Sequence, residues 1–339
     1  MKNKFVVGLV VVVLVVAGIW IFGKKSTPAT ENVSGLYPGT LKVGHLVALD
    51  MAPLFIAKEA GYFKDEGLDV ETVFFSNPGD NNAALAGGSV QLTINPFTLA
   101  YLGVNSGVPM RILSNAGGNG IMQVVIQGKY NTSSLTELVA YVKAHPNQKL
   151  KVGTLRGDTL DMILYKAFKD NGLSYDNFNM VWFDDLFAMV QSFKTGDIDI
   201  LSHIQPYTTD LQQNYGAKFL TDNATVWGKG TPNTTLIALD SFAKKYPESV
   251  IRFLRAENRA LDLIKSNPEK AAQILAGKNY YKTPDNVLLT AFKTQKDATL
   301  YPNVAGMMTA INDMVAQNYI KKTDLNIVDT SYLDSALKK

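Results

Sequence analysis

Arg156-Gly157-Asp158-Thr159 puts a guanidinium, a permissive backbone position, a carboxylate and a hydroxyl in four consecutive residues, just after a strand-like stretch ending near Thr154. At a helix start this set could hold an anion. Arg156 would offer paired N–H donors, Thr159 its hydroxyl, and the helix its unpaired N–H groups and positive dipole end. Arg156 is the preferred charge-bearing contact; otherwise it is a solvated arginine balancing Asp158 or Asp161. Other expected helix starts supply Asp50 and Met51, then Asn77, Gly79 and Asn81, then Asn95, Phe97 and Thr98. Their small or amide side chains allow close backbone approach, although Asn and Gly also serve as turn and capping residues. Gln205 and Tyr207 hold the place in a second half that Asn95 and Phe97 hold in the first. Trp182, next to Phe183, either floors a pocket or belongs to a core.

Other chemistries find no support in the residue types. The chain has no cysteine, so it has no disulfide, thiolate metal site or cysteine nucleophile. Its three histidines, at 45, 145 and 203, form no ligand cluster, so no metal site is expected. His45 follows Val43-Gly44 and could face a cleft, or serve as a hydrogen-bonded strand residue. Gly117-Gly118-Asn119-Gly120 does not complete a dinucleotide fingerprint, because Gln123 stands where the last glycine is needed. Neither GxSxG nor a phosphate loop is present, and no carboxylate pair stands out, so neither an enzyme nor a cofactor is expected. Four lysines against one glutamate in residues 1–40 account for the whole net charge of +3. A neutral remainder with no basic run argues against a nucleic-acid partner.

The elements that must position these residues occur twice. Lys42-Val43-Gly44 returns as Lys151-Val152-Gly153, each followed by a helical pattern, 52–60 and 158–171. Gly67-Leu68 and Gly172-Leu173 then lead into strands at 70–75 and 179–183. A short helix, a short strand (90–94; 198–201) and Asn95-Pro96 or Gln205-Pro206 complete each copy. Two similarly wound β/α units follow, mostly parallel, flanked by helices, with the carboxyl ends of their strands converging on a cleft. Residues 122–127 and 235–239 read as crossover or hinge strands, and helices are expected at 241–266, 268–276, 283–294 and 304–318, packing back onto the first lobe.

Phe5 to Phe22 is an 18-residue run without charge between Lys2, Lys4 and Lys24-Lys25. As a helix it would measure about 27 Å at about 1.5 Å per residue, against a hydrocarbon layer of about 30 Å. Two lysines intervene before the small residues that cleavage would need, so a retained anchor is favoured over a cleaved signal. The expected organisation is therefore an anchor or signal over 1–24 and a flexible linker over 25–40. Lobe 1 begins at 41–127, lobe 2 covers 128–232, and 233–339 returns to lobe 1 with the C-terminal helices.

At residues 41–75, with APLFIAKEAGYFKDEGLDV at their centre, the chain resembles solute-binding proteins of ABC importers. The branch is that for nitrate, sulfonate, taurine and bicarbonate, with its thiamine-precursor relatives. Leu85-Ala86-Gly87-Gly88, Gly196-Asp197-Ile198-Asp199 and Gln205-Pro206 extend the likeness over about residues 41–320. It departs from the family where Glu-Pro or Asp-Pro is common and Gln205-Pro206 stands here. Ala48-Leu49-Asp50-Met51 also lacks the tryptophan and histidine of pyrimidine-binding relatives. The resemblance implies the periplasmic-binding-protein type II fold and a monomer that captures a small, anionic solute for a permease and its ATPase outside the cytoplasmic membrane. The alternatives it leaves are a pyrimidine or other aromatic solute, or a tethered sensory receptor.

Overall fold

A computed structural model describes residues 35–321 and 326–338. The first half winds as β1 (Leu41–His45), α1 (Ala52–Glu59), α2 (Tyr62–Asp65), β2 (Val70–Phe74), α3 (Pro78–Ala86), β3 (Leu92–Pro96), α4 (Phe97–Asn105) and β4 (Met110–Asn115). The chain then crosses into β5 (Met122–Ile126) and α5 (Leu135–Ala144). The second copy follows as β6 (Lys151–Leu155), α6 (Thr159–Asp170), β7 (Asn179–Phe183), α7 (Leu186–Lys194), β8 (Ile200–Ile204), α8 (Tyr207–Asn214) and β9 (Lys218–Asp222). A second crossing leads into β10 (Thr234–Leu239) and the C-terminal helices.

The two sheets have the same plan. Their orders are β2-β1-β3-β10-β4 and β7-β6-β8-β5-β9, with β10 and β5 antiparallel to both neighbours. Four strands of each sheet thus run one way, and each sheet takes its reversed strand from the segment that returns from the other half. This corrects one boundary. Residues 122–126, expected in the first part of lobe 1, pair with β8 and β9 in the second sheet. An apolar strand buried on both faces carries no side-chain mark of the sheet it joins.

Local chemistry sets the ends of the elements that matter below. Pro53 lies in the first turn of α1, where its missing N–H costs nothing, and Gly61 just after the helix takes φ +78°. Asp158 caps α6, whose Leu160, Ile163, Leu164, Ala167 and Phe168 are buried. Gly44 of β1 has no room for a side chain, because a Cβ would overlap the Asn81 carboxamide of α3. The single helix expected over 241–266 is two, Asp240–Lys245 and Pro247–Ser266, since Pro247 has no N–H to carry the ladder through.

One apolar cluster fills the first lobe and continues into residues of the second, including Leu155, Leu160, Leu186 and Ile204. A smaller one lies within the second lobe around Val152, Leu164, Phe168 and Ile200. Pro247–Ser266 packs on α1, but Val304–Ala316 also reaches α6, where Lys169 meets Asp313 at 3.2 Å. The C-terminal helices therefore brace both lobes, not the first alone. Among the described residues no helix is long and apolar enough to cross a membrane. The expected anchor at 5–22 and most of the linker lie outside the described residues.

Candidate functional site

The carboxyl ends of β1, β3, β6 and β8 and the starts of α3, α6 and α7 converge between the lobes. They enclose a small cavity of ≈ 10 Å³ for a water-sized guest, about one water. Leu46, Ala48, Pro78, Pro96 and Thr234 line it from the first lobe, Leu155, Asp158, Leu160, Leu186 and Ile204 from the second, and Asn233 from the crossing. The lobes also touch directly. Leu49 N donates to Gln205 O at 2.8 Å, Asn77 Nδ2 to Asp184 O at 2.8 Å, and Phe74 and Phe187 face each other at the rim with centroids 6.4 Å apart.

Two buried carboxylates stand at this junction in different states. Asp50 has both oxygens engaged: Oδ2 accepts from Thr234 N at 2.9 Å and Thr234 Oγ1 at 2.8 Å, and Oδ1 from Asn233 Nδ2 at 3.4 Å. Burial raises its carboxyl above the ordinary range despite these donors. Asp158 uses Oδ1 to accept from Leu160 N at 2.9 Å, with Thr159 Oγ1 at 3.0 Å. Its Oδ2 is buried without a partner. Burial, with Asp161 adding a smaller repulsion, pushes this carboxyl up to about 6. Asn233 joins the halves, since its Oδ1 also lies 2.9 Å from Thr159 Oγ1, a hydroxyl with one proton for two acceptors.

The remaining expected residues divide by what they already hold. Met51 is core, its sulfur facing Leu46 N at 3.2 Å. Asn77 caps α3 through Gly79 N at 2.6 Å, and a side chain at Gly79 would crowd that oxygen. Asn81 and Asn95 bond each other at 3.3 Å and the backbone at Ile94 and Pro78. Phe97 packs on Trp227, and Tyr207 on Phe187 and His203. Thr98 Oγ1 and the Tyr207 hydroxyl are buried without partners. Gln205 donates from Nε2 to Gly120 O at 2.8 Å, bracing the first crossing. Gly157, at φ +72°, donates its N–H to Asp161 at 2.8 Å.

Arg156 and Trp182 do not line the cavity. Arg156 is exposed and lies over the Trp182 ring, 4.4 Å from its centroid; that ring also packs edge-on against Tyr175. A planar cation finds a partner in the nearest open ring face, so the guanidinium turns outward. His45 is buried, its Nδ1 2.7 Å from Leu46 O, and burial lowers its pKa to about 4. Asn233 and Thr234 went unread in the sequence. Their signal was the turn-forming run Thr231-Pro232-Asn233 before an apolar strand, which marks a crossing without indicating chemistry.

Two five-stranded sheets of one plan, two reversed crossing strands and an interlobe cavity define the two-lobed α/β architecture of periplasmic binding proteins. The chain belongs to the NMT1-like family, which matches residues 35–276. It is 24% identical over 284 residues to the bicarbonate-binding protein CmpA of Synechococcus elongatus, covering 77% of this chain but 62% of that one. A putative aliphatic sulfonates-binding protein of Bacillus subtilis is 25% identical over 350 residues, covering 100% of this chain and 98% of the relative. In fold, it is similar to the periplasmic nitrate-binding protein NrtA from Synechocystis PCC 6803, with TM-score 0.76, 19% identity and 88% of each chain covered.

Proposed function

We propose that this chain is the solute-binding component of an ABC importer, working outside the cytoplasmic membrane as a monomer. It takes one small solute between its lobes, performs no covalent chemistry, and hands the solute to a permease served by an ATPase. The relatives named for bicarbonate and sulfonates support this reading, as does the family. The observation that carries it is the cleft itself. Side chains of both lobes wall one cavity, and the cross-lobe bonds Leu49–Gln205 and Asn77–Asp184 are of the kind a hinge rotation would break. A cavity of about one water admits a larger guest only if the lobes part, so the solute favours closure by its added contacts to both sides. In this reading the uncharged run at 5–22 is retained as the membrane anchor.

Titration calorimetry with nitrate, bicarbonate, alkanesulfonates, taurine and aromatic carboxylates tests the function, together with small-angle scattering for closure. One-to-one binding of a small solute with a fall in radius of gyration is expected. Silence across the panel would refute it. Expression of the full chain that yields a soluble protein cleaved after the apolar run would refute the anchor alone.

A further inference from the structure

We infer that the free oxygen of Asp158 is the recognition element of this cleft, and that the solute brings it an N–H donor, an ammonium or amino group on a small apolar body. This rests on the solute-binding reading above and names the class of solute. Asp158 is 4% exposed, lines the cavity, and has one oxygen engaged in capping α6 while the other has no partner. A buried carboxylate oxygen left unpaired is costly, and a charged donor placed against it makes a short, strong hydrogen bond.

The surroundings disfavour a bare anion. Among the described residues no lysine or arginine lines the cavity, and Arg156 lies on Trp182 outside it. The starts of α3, α6 and α7 beside the cavity are already capped by side chains, and at the start of α4 Phe97 N donates to Asn233 O at 3.4 Å. Asn77 Oδ1 takes Gly79 N and Asp80 N at α3, Asp158 Oδ1 takes Leu160 N at α6, and Asp185 Oδ1 takes Phe187 N and Ala188 N at α7. Asp50, the other carboxylate of the junction, has both oxygens engaged by Thr234 and Asn233 and is not among the residues lining the cavity. Leucine, isoleucine and proline side chains make up most of the wall, so the donor should sit on an apolar frame.

Taurine and propane-1-sulfonate test this directly, because they share the sulfonate and chain and differ in ammonium against methyl. Thermal shift and calorimetry on the full chain would compare them with n-propylamine, nitrate and bicarbonate. The same panel would be run on Asp158→Asn, whose oxygen keeps the helix cap and whose NH₂ then takes the place of the unpaired oxygen. Donor-bearing probes should bind at least about tenfold more tightly than donor-free ones, and Asp158→Asn should remove that preference. Asp158→Ser, which also caps a helix, controls for folding and should lose the preference too. Equal or tighter binding of propane-1-sulfonate, nitrate or bicarbonate, unchanged in both variants, would overturn the inference and leave the solute-binding reading standing. Binding of no probe would count against both.

Discussion

Asp158→Asn should stabilise the unliganded protein near neutral pH even as it removes the preference for donor-bearing solutes. The sign follows from linkage. Burial raises the Asp158 carboxyl from its ordinary 3.8 to about 6, so the folded protein binds this proton more tightly than the unfolded chain. The stability this contributes is present at low pH and is lost as pH rises from about 4 to about 6; above that the native state carries an ionised, half-satisfied carboxylate. At about 1.4 kcal/mol per tenfold change in proton affinity, the penalty is on the order of 3 kcal/mol at about pH 7.5 and about 1 kcal/mol at about pH 4.5. Asparagine removes it and keeps the cap, but places a carboxamide N–H where the free oxygen was, at a pH-independent cost of about 1–3 kcal/mol. The diagnostic quantity is therefore the difference between the two pH values, about 2 kcal/mol. Urea unfolding of wild type and variant at both pH values measures it. A stability difference that is the same at about pH 4.5 and about pH 7.5 would refute the reasoning, because it would mean Asp158 does not change its proton affinity on folding.

Gly44→Ala should cost about 1–3 kcal/mol, since a methyl there overlaps the Asn81 carboxamide that ties α3 to β3; an unchanged melting temperature would show that α3 can move aside. Asn233→Ala removes a donor to Asp50 and an acceptor for Thr159 at once. A loss of about 1–3 kcal/mol is expected, with a larger radius of gyration by scattering, and no change in either would place control of the hinge elsewhere. Arg156→Ala should leave solute affinity within about twofold and cost at most about 1 kcal/mol of stability, the worth of an exposed cation on a ring. Calorimetry showing a tenfold weaker complex would return Arg156 to the site.

The doubled pattern could be read from residues alone because its marks are local. Lys-Val-Gly, the Gly-Leu turn and the residue-Pro step each constrain backbone or packing within a few positions, and the strands at 41–45, 151–155 and 179–183 emerge where those marks predict. Partnership in space is not local. Nothing in Met122–Ile126 distinguishes pairing with β3 from pairing with β8, and the choice is made by the crossing that precedes it. Side-chain direction is equally hidden. The spacing of Arg156 to Thr159 places all four at the α6 start, but whether the guanidinium enters the cleft depends on a ring supplied from the neighbouring strand, 26 residues later. Asn233 escaped because its role comes from joining Asp50 and Thr159, both remote in sequence.

The duplication also explains why one carboxylate of the junction is free. Asp50 and Asp158 each lie between the first strand and first main helix of their copy, so both are carried to the cleft by the same winding. The crossings break the equivalence. The chain returning from the second lobe passes Asp50 as Asn233-Thr234, and three donors from those two residues hold its carboxylate to the start of β10. Asp158 has no such bond from the first crossing; Asn233 reaches its neighbour Thr159 instead. One copy of the acid is thus bonded to the start of β10, and the other keeps an unpaired oxygen beside the interlobe cavity. Exchanging these states would require a donor beside Asp158. That would fill the cavity and relieve the buried charge, leaving a stable closed protein with little reason to open for a solute.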